Sequence, residues 1–236
     1  MEFTFYGDLL GIGSAYRLGS KTAYDKLNAF YNETFRTLDA FCDDHRNSVE
    51  MFSDSLFIKG DVAFSSLADI ALVFPNLLRK GLLLRGAMVR GKLRFDTRIT
   101  KPNFGKRLPD DDTLARAVGL EKMQKGARFL VEADLANELL NNVPDWKTQD
   151  GYLRSIRSNA DELLRRICPT PDNTSYECLF YWSRGIQLEE YAARIKDLKD
   201  IMVMCDKTTR EHYEETISVI QRARHRHKIT EERLEP

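Results

Sequence analysis

The sequence predicts an α+β fold: a ferredoxin-like, palm-type β-α-β-β-α-β sheet with helices on one face, followed by a C-terminal helical extension. Three observations predict it. Short β-patterned runs alternate with segments of helical period across residues 1–142. The helical segments are long enough to cross a sheet between strands. Beyond Asn142 the chain becomes mostly helical and charged, so 1–142 reads as the core and 143–236 as an extension packed on it or engaged in dimerisation.

Phe3, Phe5 and Gly7 alternate with Thr4, Tyr6 and Asp8, the period of a strand with one face on a core and one on a site. Gly11 and Gly13 loosen the chain just after the acid. From about Ser20 to Asp44, Tyr24, Leu27, Phe30, Tyr31, Phe35, Leu38 and Phe41 recur three or four apart. This is a helix whose stripe is expected to face the core. Asn47 to Lys59 reads as a hairpin turning near Ser53-Asp54, and Asp61 to Lys80 as a second helix ended by Gly81. Leu82 to Phe95 is strand-like, with glycines where backbone or ligand must come close. Asp96 to Asp112, with Pro102, Gly105 and Pro109, is a loop. A third helix covers about Asp112 to Gln124, before a strand at Ala127 to Val131. In the extension, a charged helix around Asp150 to Ile167 precedes a turn and an edge-like strand within Pro169 to Tyr181. Helices at about Leu188 to Met204 and Thr208 to His227 complete the chain.

The 236 residues carry 36 basic and 36 acidic side chains, a balance that argues against coating nucleic acid or an anionic membrane. Cys42, Cys168, Cys178 and Cys205 lie far apart, so free thiols are expected rather than a zinc site. The N-terminal segment lacks the pattern of a signal peptide, and no run is long and apolar enough to span a bilayer. A cytoplasmic protein is expected. Of the histidines, His212, His225 and His227 are expected in solvent beside Arg222, Arg224, Arg226 and Lys228.

Function is read from two acids. FYGDLLGIG (Phe5 to Gly13) and MFSDSLFIKG (Met51 to Gly60) each place one aspartate at the end of a β-like run. If these runs are adjacent strands, Asp8 and Asp54 form a site for two hard divalent cations against a nucleotide's phosphates.

These two segments, then LLLRGAMVRG, then ARAVGLEKMQKGARFLVEADL, in that order, resemble a class III nucleotide cyclase catalytic domain over about residues 1–140. The resemblance implies two Mn²⁺ or Mg²⁺ ions held by Asp8 and Asp54, with the Leu9 carbonyl as a further ligand. It also implies a nucleoside triphosphate substrate and a homodimer with sites at the interface. The segment Leu10, Gly11, Ile12 and Gly13 would then offer backbone N–H groups to the phosphates. Two departures stand out. Purine cyclases carry a lysine six residues before the hairpin aspartate; here that position is Ser48, with Arg46, Asn47 and Glu50 nearby. Their asparagine-x-x-x-arginine pair is replaced by Ala115 and Gly119, with Arg116 beside the first.

With these departures the chain resembles the anti-phage pyrimidine cyclases of bacterial Pycsar systems. That implies UTP converted to cyclic UMP, ahead of CTP to cyclic CMP, and a downstream effector that senses the cyclic nucleotide. Ser48 and Glu50 are then substrate-binding candidates. Arg90 and Arg94 are nominated as the cations that stabilise the transition state, with Lys106 and Arg107 as alternatives and Arg85 as structural. The rival readings are an adenylate or guanylate cyclase, a non-catalytic module of the same fold, and a polymerase-like or diguanylate-cyclase-like palm enzyme, which the lack of a GGDEF-like loop at the hairpin disfavours. Neither a membrane nor a nucleic acid is expected as a partner.

Overall fold

The computed structural model of the chain describes residues 1–61, 63–96, 108–141, 167–179, 188–203 and 205–232. The elements are β1 (Phe3–Leu9), α1 (Ile12–Leu18), α2 (Ser20–Cys42), β2 (Ser48–Phe52), β3 (Ser55–Gly60), α3 (Ala63–Arg79) and β4 (Leu84–Arg90). Then come α4 (Thr113–Lys122), β5 (Phe129–Val131), α5 (Ala133–Asn141), β6 (Ile167–Pro169), β7 (Tyr176–Cys178), α6 (Leu188–Val203) and α7 (Lys207–Glu232). The strands form one sheet in the order β2-β3-β1-β4-β5-β7-β6. Its first four are mutually antiparallel, the ferredoxin-like arrangement expected from the sequence. β5 runs parallel to β4, and the β6–β7 hairpin extends the sheet from beyond residue 142.

Strand alternation fixes the two faces of the sheet. On one, Phe3, Phe5 and Leu9 are buried. Phe5 meets Phe74 of α3 and Phe129 of β5 edge-on, at 6.1 and 5.2 Å between ring centroids, while Phe74 and Phe129 stack at 5.4 Å. Edge-to-face and offset pairs of this kind add to the stabilisation from burial alone. Gly86 is required here: a Cβ at that position would lie 2.4 Å from the Phe5 ring.

The other face presents Thr4, Tyr6 and Asp8, and by ladder register Ser55, Phe57, Lys59, Arg85, Ala87 and Val89 with them. α4 packs against β1 and β4, and its Glu121 pairs with Arg85 on this second face. The open part is therefore the β2-β3-β1 region, where Tyr6 and Phe57 remain half-buried at 5.3 Å between centroids.

Several expectations need correcting. The glycines after Asp8 do not simply loosen the chain, because Gly11 opens the short helix α1. The elements read from the sequence include no helix at α5; its nine residues follow β5, and Leu135, Ala136 and Leu139 are buried. The aromatic stripe of α2 faces two ways. Phe30, Leu38 and Phe41 are buried, whereas Tyr24 and Phe35 are each 66% exposed. Seven residues at mixed three- and four-residue spacing subtend a wider arc than the sheet and α3 can cover. Two strands, β6 and β7, stand where one was expected. The helix expected around Asp150 to Ile167 lies almost wholly outside the described residues. Cys168 and Cys178 are buried, Cys42 is exposed, and all four cysteines are free thiols. No helix among the described residues is long and apolar enough to cross a membrane.

Candidate functional site

Asp8 is the penultimate residue of β1 and is paired in register with Ser55 of β3 on one side and Arg85 of β4 on the other. Asp54 occupies the two-residue turn between β2 and β3, beside Ser53, whose φ of 55° lies in the left-handed region. The backbone closes this corner: Leu9 N–H donates to the Asp54 carbonyl at 2.8 Å. Residues 46 positions apart in sequence thus meet because β3 returns alongside β1.

The carboxyl groups feel one another. Burial and then the neighbouring Asp54 charge push Asp8 up to about 6, with a further contribution from Glu121. Arg85 and Lys122 oppose the shift and do not cancel it. The Arg85 guanidinium is engaged by Glu121, which is 1% exposed and itself raised by burial. Arg85 therefore has the pairing role expected from the sequence, yet it is also the guanidinium facing Asp8, a closeness the strand alternation alone did not reveal.

Leu9 is buried, and Leu10 N–H is committed to the Leu83 carbonyl at 2.8 Å, which removes it from the expected set of phosphate donors. Ile12 and Gly13 form the first turn of α1, whose backbone bonding begins with Ala15 N–H to the Gly11 carbonyl at 3.0 Å. Their N–H groups precede any i−4 acceptor within the helix. Gly11 and Gly13 are exposed, with open space where a side chain would stand.

Ser48 and Glu50 share the Asp8 face, opposite Lys59 and Phe57. With Phe57, Lys59 and Phe95 they line a cavity of about 10 Å³, room for one water. Lys59 sits over the Phe95 ring at 5.3 Å and 3.9 Å from Glu50. Arg46 is held by Asp44 at 2.6 Å.

The nominated arginines do not join this cluster. Arg90 pairs in register with Phe3, at the far end of β1, and reaches Glu138 at 3.2 Å. Five residues separate it from Arg85, roughly 17 Å along the strand. Arg94 lies beside Glu2 at 3.5 Å. Arg116 is engaged by Glu132 and Asp112 and donates to the Arg90 carbonyl at 2.8 Å. Lys106 and Arg107 lie outside the described residues.

Two expectations for the last helix are also corrected. His212 is not in solvent: its Nδ1 accepts the Gly126 N–H at 3.2 Å. Arg222 is bound to Glu177, which is buried to 1% exposure. An isolated helical sequence gives no sign of such partners, because they come from the distant α4–β5 turn and β7 strand.

As hard oxygen donors, the Asp8 and Asp54 carboxylates suit a divalent cation. Among the described residues no group of three or more His, Cys, Asp or Glu is placed to hold a metal ion.

No protein-family model matches the chain, and no curated protein matches it. Among solved structures it is similar to the adenylyl cyclase CyaB from P. aeruginosa, at 15% identity over 60% of this chain and 81% of that one, with a TM-score of 0.48. It is also similar to the guanylyl cyclase Cya2, at 14% identity over 64% of this chain and 81% of that one, with a TM-score of 0.48. A third similarity is to adenylate cyclases from Trypanosoma brucei in their monomeric state, at 11% identity over 79% of this chain and 91% of that one, with a TM-score of 0.47.

Proposed function

We propose that this chain is a metal-dependent nucleotide cyclase acting on a pyrimidine nucleoside triphosphate, UTP ahead of CTP. The observation that carries the reading is the convergence of Asp8 and Asp54 at one corner of the sheet, where burial and mutual repulsion raise Asp8 to about 6. A strained acid pair is costly to a fold and useful to a cation site.

In the reaction, the ribose 3′-hydroxyl attacks the α-phosphorus, the bond to the β-phosphate's bridging oxygen breaks, and pyrophosphate leaves. Asp8 and Asp54, with the Leu9 carbonyl as a further ligand, would hold divalent cations, which would supply activation of the hydroxyl and neutralisation of the leaving group. The chain's own contribution is to fix one carboxylate on β1 and the other in the β2–β3 turn that is hydrogen-bonded to it. The N–H groups of Ile12 and Gly13 then offer contacts for the phosphates. Among the described residues, Arg85 is the cation that pulls most strongly on Asp8. Arg90 and Arg94 lie at the other end of β4, so they serve this site only from a second copy, in keeping with a homodimer whose sites form between chains. The pyrimidine preference rests on Ser48, a small neutral side chain where the resemblance leads one to expect a base-reading lysine. The anti-phage role and the cyclic-nucleotide-sensing effector rest on that resemblance alone.

The test is incubation of the purified chain with each of the four nucleoside triphosphates and Mn²⁺, with products identified by mass. Cyclic UMP or cyclic CMP is the expected product. Cyclic AMP or GMP overturns the base assignment, and absence of any cyclic product favours the non-catalytic module.

A further inference from the structure

The turn between α4 and β5 is gripped by α7 at four consecutive residues. Lys125 pairs with Glu211. The Gly126 N–H donates to His212 Nδ1 at 3.2 Å. The Ala127 N–H donates to Thr216 Oγ1 at 2.9 Å, and that hydroxyl donates in turn to the His212 carbonyl at 2.7 Å. Arg128, nearly fully buried, pairs with Glu215 and with Glu177 of β7. Residues 211, 212, 215 and 216 form one side of a helix, so a single face of α7 meets the whole turn.

The fit is close. Gly126 has φ of 87°, and a Cβ there would lie 2.9 Å from both Glu215 Cβ and the Thr216 backbone nitrogen. Only glycine allows this approach. Below the turn, Arg222 closes on the second oxygen of Glu177, so α7 is also tied to β7.

This turn is the continuation of α4. Glu121 of α4 holds Arg85, and Arg85 stands across the ladder from Asp8. His212 faces Arg85 and Lys125 as well as its own neighbour Glu211. We infer that α7 acts as a brace for the acid corner, with His212 a positioning residue that fixes the α4–β5 turn and so holds the Glu121–Arg85 pair beside Asp8. This rests on the proposed role of Asp8 and Asp54 as cation ligands, and it gives the C-terminal extension a part in that site.

The role requires a neutral imidazole, because only an unprotonated Nδ1 can accept the Gly126 N–H. Burial, Arg85 and Lys125 all lower the affinity of His212 for a proton, in keeping with that state.

The experiment compares the wild-type chain with H212A, H212N and H212Q in two measurements. The first is amide hydrogen exchange in residues 113–122; the second is Mn²⁺ affinity by calorimetry. Asparagine places an acceptor near the Nδ1 position, whereas glutamine overshoots it. H212A and H212Q are expected to exchange α4 amides about tenfold faster and to bind Mn²⁺ about fivefold more weakly. H212N is expected to match the wild type in both. Unchanged α4 exchange in H212A overturns the inference, as does faster exchange with unchanged affinity. If H212A does not fold, equal behaviour of H212N and H212Q overturns it. Failure of the wild type to bind Mn²⁺ refutes the cation-site reading, whereas the exchange measurement tests the brace with or without metal.

Discussion

Asp8 and Arg85 stand directly opposite one another in the β1–β4 ladder, yet the guanidinium is tied to Glu121 and leaves Asp8 raised to about 6. In the proposed function, this carboxylate, short of positive charge and beside a second one, is where a cation from outside the chain would bind.

That relationship sets a pH dependence. Asp8 titrates near 3.8 when unfolded and near 6 when folded, so the folded chain binds more protons between those values. Its contribution to stability is present below about 4 and is lost as pH rises through 6. The full shift corresponds to about 3 kcal/mol, and partial solvent exposure reduces this to roughly 1–2 kcal/mol. Metal-free D8N is therefore expected to be more stable than the wild type at pH 7 and no more stable at pH 4. Urea denaturation at the two pH values measures the difference.

Glu121 anchors Arg85 from a site 1% exposed. Removing its charge takes from a largely buried guanidinium its hydrogen-bonded counter-ion and leaves only Asp8 facing it, so the loss falls at or below the about 3–5 kcal/mol of a broken buried pair. E121Q should lower the thermal midpoint and weaken Mn²⁺ binding together, by calorimetry. A loss of stability with full affinity would separate Glu121 from the acid corner.

Gly126 tests the seating of α7. An alanine there must take φ near 87° and push into the backbone of Thr216, a cost of about 2 kcal/mol or more. G126A is expected to lower stability by that amount in denaturant titrations. The same substitution at exposed Gly119, where nothing lies within 4 Å of a Cβ, should be neutral or stabilising.

His212 contributes with the opposite sign to Asp8. Burial, Arg85 and Lys125 hold its folded value below 6.5, against the pull of Glu211. Its stabilisation is present above about 6.5 and is lost as pH falls. Wild-type stability should therefore drop more steeply than that of H212N between pH 7.5 and 5.5.

Arg90 and Arg94 lie at the end of β4 remote from Asp8, so any role in catalysis comes from a second chain. Mixing inactive D54A with inactive R90A is expected to restore about a quarter of wild-type turnover, the yield of one intact site in half of randomly paired dimers. No recovery at any ratio would remove Arg90 from the mechanism.

Apart from the short helix α1, the strand-helix order of the first 131 residues was legible because alternation around Phe3–Asp8 and the Ser53-Asp54 turn are local signals. The meeting of Asp8 with Asp54 was legible as soon as the two segments were taken as neighbours. What was not legible depends on distant partners. Tyr24 and Phe35 look like core until the sheet covers only the Phe30–Leu38 side. His212 and Arg222 look solvated until Gly126 of the α4–β5 turn and Glu177 of β7 meet them. Arg90 sits in a strand that ends near Asp8 at one terminus only, and sequence spacing carries no information on which terminus that is.

Mn²⁺ titration of the wild type, D8N and D54N by calorimetry tests the central claim most directly. The account predicts that the wild type binds Mn²⁺ in the presence of a non-hydrolysable triphosphate, and that either substitution weakens binding by about a hundredfold. Binding by both variants at wild-type strength would contradict it.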